Sequence, residues 1–159
     1  MAIHKLLVDD FEDSNYSLLA VHCEMEGYRL AYYLNKYLET RLARTKEDLD
    51  FITSLASFSV FKWSNKQLQT DWHLIKNSCL VEEMAVSQGL FSEINDKSWV
   101  IHSLLPEHHS VDYILKINNG GGFINEKQIL DKIQKIPKVS TAYSVDISQL
   151  KSKDHLIFN

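Results

Sequence analysis

Residues 98–117 read SWVIHSLLPEHHSVDYILKI, and how this stretch is folded decides the reading of the whole chain. Two strand-like runs, 98–105 and 111–117, flank the segment PEHHS. Read as a hairpin, Leu105 faces Val111, Ser103 faces Tyr113, Ile101 faces Leu115 and Trp99 faces Ile117. Alternation then sets these side chains on one largely apolar sheet face, and a one-residue slip would scramble the pattern. Pro106 fixes its own φ and pushes Leu105 into extended conformation. Asp112 can accept loop N–H groups, as aspartate does in turns. The stretch is thus expected to be a turn before it is a reactive site.

Working outward, residues 139–145 (VSTAYSV) alternate, with Val139, Thr141, Tyr143 and Val145 on one side. Before them, Asn125 stands three residues ahead of Gln128, a capping pattern. Ile129, Leu130, Ile133 and Ile136 follow at helical spacing, and Pro137 ends the helix. Residues 154–158 suggest a short terminal strand. Toward the N-terminus, 3–8 and 16–23 read as strands, the second apolar on both faces and so covered on both sides. Gly27 breaks that pattern. Leu30, Leu34, Leu38 and Leu42 then mark a helix from Tyr28 to about Arg44. Residues 49–63 read as one long strand or two short ones, 64–67 as a turn and 71–76 as a strand. Residues 78–96 read as irregular, with a helical turn around Val81–Val86.

This order predicts one α+β domain over 1–159. Its sheet is mostly antiparallel or mixed, with two main helices and split-βαβ units in a ferredoxin-like arrangement. A chain of 159 residues, 45% hydrophobic, is long enough to bury a core without staples. The net charge of −4 argues against nucleic-acid binding, which needs a basic face. Asp9, Asp10, Glu12 and Asp13 crowd near the start. Cys23 and Cys79 form no CxxC unit, and no signal peptide or membrane-length apolar run is evident. A cytoplasmic protein with two free thiols is expected.

Leu105-Pro106-Glu107-x-x-x-Val111-Asp112-Tyr113 resembles the signature of the bacterial IPExxxVDY family, with Leu105 in place of isoleucine. The segments MAIHKLLVDDFED and GYRLAYYLNKYL are also similar to that family. The resemblance singles out Pro106, Glu107, Val111, Asp112 and Tyr113 and implies no activity for them.

Four chemistries compete with plain structural roles. His102, Glu107, His108 and His109 are close in sequence, but adjacent histidines diverge and no HExxH or CxxC is present, so no metal is expected. Glu107 and Asp112 could pair with His102 or His109 for acid–base work, but that requires burial to tune a pKa. GGG at 120–122 precedes a helix, where free N–H groups can hold phosphate, yet no phosphate-loop motif surrounds it. Trp99, Tyr113 and Tyr143 could stack bases, though core strands favour the same residues. The expectation is a non-catalytic interaction or regulatory protein without cofactor. Its partner is a protein, bound through a sheet edge or the 106–112 loop. The alternative is a small hydrolase or ligand-binding enzyme using Glu107, Asp112 and a histidine.

Overall fold

The computed structural model describes residues 16–51, 54–84, 97–120 and 122–158. The strand expected at 3–8 and the acidic stretch after it lie outside these residues. The chain folds as β1 (Tyr16–Cys23), α1 (Gly27–Leu38), β2 (Ala43–Arg44), β3 (Leu49–Asp50), β4 (Ser57–Phe58), β5 (Val60–Asn65) and β6 (Thr70–Lys76). It continues through β7 (Ser78–Met84), β8 (Lys97–Ser103), β9 (Tyr113–Asn118), α2 (Glu126–Gln134) and β10 (Val139–Ser144). Short 3-10 helices occupy Pro106–His108, Ile147–Gln149 and Lys153–Leu156. No helix among the described residues is long and apolar enough to cross a membrane.

Among the described residues the main sheet has six strands in the order β10-β1-β9-β6-β5-β2, and every pairing is antiparallel. β1 and β6 therefore run parallel with β9 between them, and β9 and β10 run parallel with β1 between them. α1 follows β1 and α2 joins β9 to β10, so two split βαβ units interleave as expected of this α+β class. The β2–β5 excursion adds two strands beyond β6.

Burial explains the strand order. β1 buries Leu19, Val21 and Cys23 under the helices and Leu18 and Ala20 on the opposite face. β9 likewise sends Tyr113, Leu115 and Ile117 to the helix side and Ile114 to the other. Strands apolar on both faces belong in the middle of a sheet covered on both sides. Leu30, Ala31 and Leu34 of α1 meet Ile133 and Ile136 over the helix-side core. On the far face, Ala56, Phe58, Leu104, Leu105, Val111, Val145, Leu150 and Leu156 form a third layer of short elements.

Several expectations are corrected. β8 and β9 do not form a hairpin: β8 pairs with β7 in a separate two-stranded ribbon, and β9 pairs with β1 and β6. Trp99 and Ile101 are 65% and 68% exposed, while Leu115 and Ile117 are buried. Alternation reports which side chains share a face, not which strand lies alongside, and the doubly apolar β9 is claimed by the sheet centre. β7 replaces the irregular reading of residues 78–84, because both ribbon faces mix polar and apolar groups and leave no clean period. The rest of 78–96 lies outside the described residues.

α1 stops at Leu38, where Glu39 takes a left-handed conformation with φ 57°. Asn35 then turns the chain: its Oδ1 accepts from Thr40 Oγ1 at 2.8 Å and from the Leu42 N–H at 2.7 Å, and its Nδ2 donates to the Leu42 carbonyl at 3.0 Å. Leu42 is buried beyond the helix rather than within it. Residues 49–63 give three short strands, and the turn that follows occupies 66–69.

In β10 Thr141 and Tyr143 share an outward face as expected, but the register against β1 shifts between His22 and Cys23 and moves Val139 to the helix side with the buried Ala142. Such an irregularity interrupts simple alternation. The expected terminal strand is a 3-10 turn that buries Leu156. The α2 start is as expected, with Asn125 accepting from the Gln128 N–H.

Candidate functional site

The motif around Pro106 is held from beneath by Asn77, a fully buried residue at the β6–β7 junction. Its Nδ2 donates to the His108 carbonyl at 2.8 Å and to the Val111 carbonyl at 2.9 Å, and its Oδ1 accepts from the Leu105 N–H at 3.0 Å. Its own backbone donates to Asp112 O at 2.9 Å and accepts from Leu104 N at 2.7 Å. One amide thus closes the loop from Leu104 to Asp112 and satisfies groups that burial would otherwise leave unpaired.

The motif side chains make further ties. The Glu107 carboxylate accepts from Ser152 Oγ at 2.9 Å, joining the loop to the C-terminal segment. Asp112 accepts from the Cys23 N–H at 2.9 Å, at the end of β1. Tyr113 donates its hydroxyl to Met25 O at 2.6 Å beneath α1, and burial pushes its phenol pKa up. Val111 is buried, and Pro106 is exposed at the first turn of the 3-10 helix, where a missing N–H costs nothing. Each motif group with a partner therefore ties one element to another.

The same geometry separates the acid–base candidates. No hydrogen bond joins Glu107 or Asp112 to a histidine among the described residues, and both carboxylates are exposed. His102 pairs with Glu83 at 3.1 Å on the ribbon instead. No group of three potential ligands is close enough to hold a metal among the described residues. In the glycine loop, the Gly120 N–H bonds Asn118 Oδ1 and the Gly122 N–H bonds Asn119 O, so neither is free for phosphate. Trp99, Tyr113 and Tyr143 sit on the ribbon, under α1 and on β10, so they share no stacking surface. Cys23 is buried and its thiol pKa is raised by desolvation; Cys79 is half-buried.

Two features lie elsewhere. The first is the outward face of the β7–β8 ribbon. Its cross-strand rungs are Leu80–Ile101, Glu82–Trp99 and Met84–Lys97. Leu80, Met84, Trp99 and Ile101 are all strongly exposed, and Glu82 and Lys97 form an ion pair at 3.0 Å. The opposite face, with Val81 and Cys79, packs on the third-layer core.

The second is a cleft on the far face of the main sheet. Lys62, His73 and Lys116 form one cross-strand row over β5, β6 and β9, with Asp71 and Asn118 paired in a neighbouring row. A cavity of about 240 Å³ is lined by these five residues and Phe158. An adjoining space of about 420 Å³ shares Lys62, His73 and Phe158 and extends to Thr45 and Lys46.

Lys116 is buried; it donates to Leu156 O at 2.6 Å and lies 4.7 Å from the Tyr16 ring centre and 4.5 Å from that of Phe158. Desolvation lowers its pKa. His73 is 6% exposed, and neither ring nitrogen has a partner among the described residues. Burial, then the charges of Lys62 and Lys116, push its pKa down to about 4, so it is neutral near neutral pH. A signal for this row was present in the sequence: Lys116 interrupts YILKIN and His73 interrupts DWHLIK, both otherwise strand-core patterns. Asn77 had no such signal, since an asparagine between two strands reads as a turn residue.

A larger groove of about 660 Å³ lies beside the end of α1, walled by Trp63 and Trp72. No unpartnered buried polar atom of a described residue opens into it. No family model, curated protein or solved structure matches the chain.

Proposed function

We propose that this chain is a non-catalytic, cytoplasmic interaction domain of the IPExxxVDY type, acting through the β7–β8 ribbon. The carrying observation is the exposed apolar face of Leu80, Trp99, Ile101 and Met84 on a ribbon that has two strands among the described residues. A two-stranded ribbon is marginal without further packing, and a cluster of four large exposed side chains matches the scale of functional patches. The 106–112 loop is the weaker candidate surface, because Glu107 and Asp112 already bind the chain's own Ser152 and Cys23.

The occupant that fits best is a second copy. A twofold axis along the ribbon sets Leu80 against Ile101, Glu82 against Trp99 and Met84 against Lys97 of the other copy. That apposition joins Leu80 to Ile101, sets the ion-paired Glu82 and Lys97 over Trp99 and Met84, and opposes no like charges. Sedimentation equilibrium of the full chain tests this. A dimer that Trp99→Asp converts to monomer, with an unchanged circular dichroism spectrum, supports the reading. A parent protein that stays monomeric over the whole accessible concentration range overturns it.

A further inference from the structure

We infer that the cleft between β5, β6, β9 and the C-terminal segment binds a small oxyanion carried by a metabolite, a carboxylate or phosphate group with a hydroxyl or amine beside it. This is separate from the ribbon reading and does not depend on it.

The recognition chemistry is set by the strand register. Cross-strand neighbours on one sheet face have Cβ atoms about 5 Å apart. Lys62, His73 and Lys116 therefore present three nitrogen-bearing side chains in one row. Two are buried within the fold, and the row is served by no carboxylate salt bridge among the described residues. Neutral His73 retains one ring N–H to donate and one ring nitrogen to accept. Both are buried and without partners among the described residues, which is costly unless a group outside those residues completes them.

Lys116 has spent one donor on Leu156 O and is held between two aromatic rings, so it contributes mainly fixed positive charge. Lys62 is only half-buried and supplies a second ammonium to the cavity lining. Asp71 and Asn118 line the same cavity and can accept from a hydroxyl or amine on the ligand. A cavity of about 240 Å³ is small for a drug-sized ligand and suits a compact acid. The Phe158 and His73 rings meet at 5.0 Å and close one wall against water.

The test uses the full chain with inorganic phosphate and, in a separate arm, acetate as probes. The His73 ring nitrogens are followed by long-range proton–nitrogen NMR. Expected is a saturable shift of the His73 signals, with the probe that binds more tightly identifying the acid. Lys62→Met should weaken that binding by about tenfold or more, the loss that removal of one charge-assisted bond predicts. Lys46→Met, in the adjoining space, should weaken it less.

No saturable shift with either probe would overturn the inference, as would equal binding by Lys62→Met. The titration is repeated after the acidic residues before Tyr16, Asp9, Asp10, Glu12 and Asp13, are changed to their amides. Binding that appears only in that variant would make the chain itself the cleft's occupant and also overturn the inference.

Discussion

Asn77→Ala is the most incisive perturbation of this fold. It removes three side-chain hydrogen bonds at a fully buried position. The His108 carbonyl retains the Val111 N–H at 3.0 Å, so it does not become an orphan. The Leu105 N–H and the Val111 carbonyl lose the only partners they have among the described residues. Each unpaired buried group costs about 1–3 kcal/mol, so the two together cost about 4 kcal/mol, with a smaller cavity term added. That is a large share of the roughly 5–15 kcal/mol by which domains are stable. Asn77→Asp should be at least as damaging: it keeps an acceptor for Leu105 but turns a carboxylate oxygen toward two carbonyls. The assay is urea unfolding followed by tryptophan fluorescence and circular dichroism, with Ser152→Ala as comparator. Ser152→Ala loses one bond to an exposed carboxylate and should cost about 1 kcal/mol or less. If Asn77→Ala costs no more than Ser152→Ala, the claim that this amide organises the 104–112 loop is refuted.

Three further outcomes are expected. Tyr113→Phe should cost about 1 kcal/mol for the lost bond to Met25 O, and Tyr113→Ala about 3–5 kcal/mol for the emptied site beneath α1; equal losses in urea melts would contradict that division. Asp112→Ala should free the Cys23 N–H and speed its hydrogen exchange, while leaving exchange in α2 unchanged. His73, with a folded pKa near 4 against an ordinary 6.5, binds its proton more readily in the unfolded chain. Its contribution is therefore fully present above about pH 6.5 and is lost as pH falls toward 4, the loss reaching about 2 kcal/mol near pH 5. Lys62 and Lys116 oppose the imidazolium and Asp71 favours it. His73→Phe should flatten this part of the pH profile in urea melts, and an unchanged slope would show that other groups carry it.

What was legible in the sequence was what depends on a side chain's own preferences. β1 is apolar at successive positions, and it lies within a sheet covered on both faces. Asn125 and Gln128 mark the α2 start by local hydrogen bonding alone. What was not legible depends on partners distant in the chain. Trp99 and Tyr113 belong to different sheets, and nothing within residues 98–117 says so. Leu42 keeps helical spacing from Leu38 yet lies outside the helix, because Asn35 captures the backbone that would have continued it. Val139 leaves the side it was expected to share with Thr141 and Tyr143 because a register shift against β1 intervenes. The motif carboxylates attracted attention as reactive groups, and their partners are a backbone N–H and a serine.

The contrast between the motif and the cleft bears on where chemistry is to be sought. Glu107, Asp112 and Tyr113 are each satisfied by the chain itself, so their identities are accounted for by folding. The row of Lys62, His73 and Lys116 is accounted for in that way only in part: Lys116 keeps its bond to Leu156 O, whereas neither ring nitrogen of the buried His73 has a partner among the described residues. Val60, Ile75, Ile114 and Ala20, one row along the same face, show that apolar side chains pack there readily. Replacing that pattern with a lysine, a histidine and a second lysine desolvates charge and leaves an imidazole unpaired among the described residues, both of which weaken the fold. Local rules for stability are broken most often where a site serves another purpose. The row over β5, β6 and β9 breaks them at two adjacent buried positions, His73 and Lys116, with the half-buried Lys62 beside them, whereas the motif at 105–113 does not break them at all. A ligand is therefore to be sought over that row, and the motif is to be read as the clasp that joins β1, the β6–β7 junction and β9.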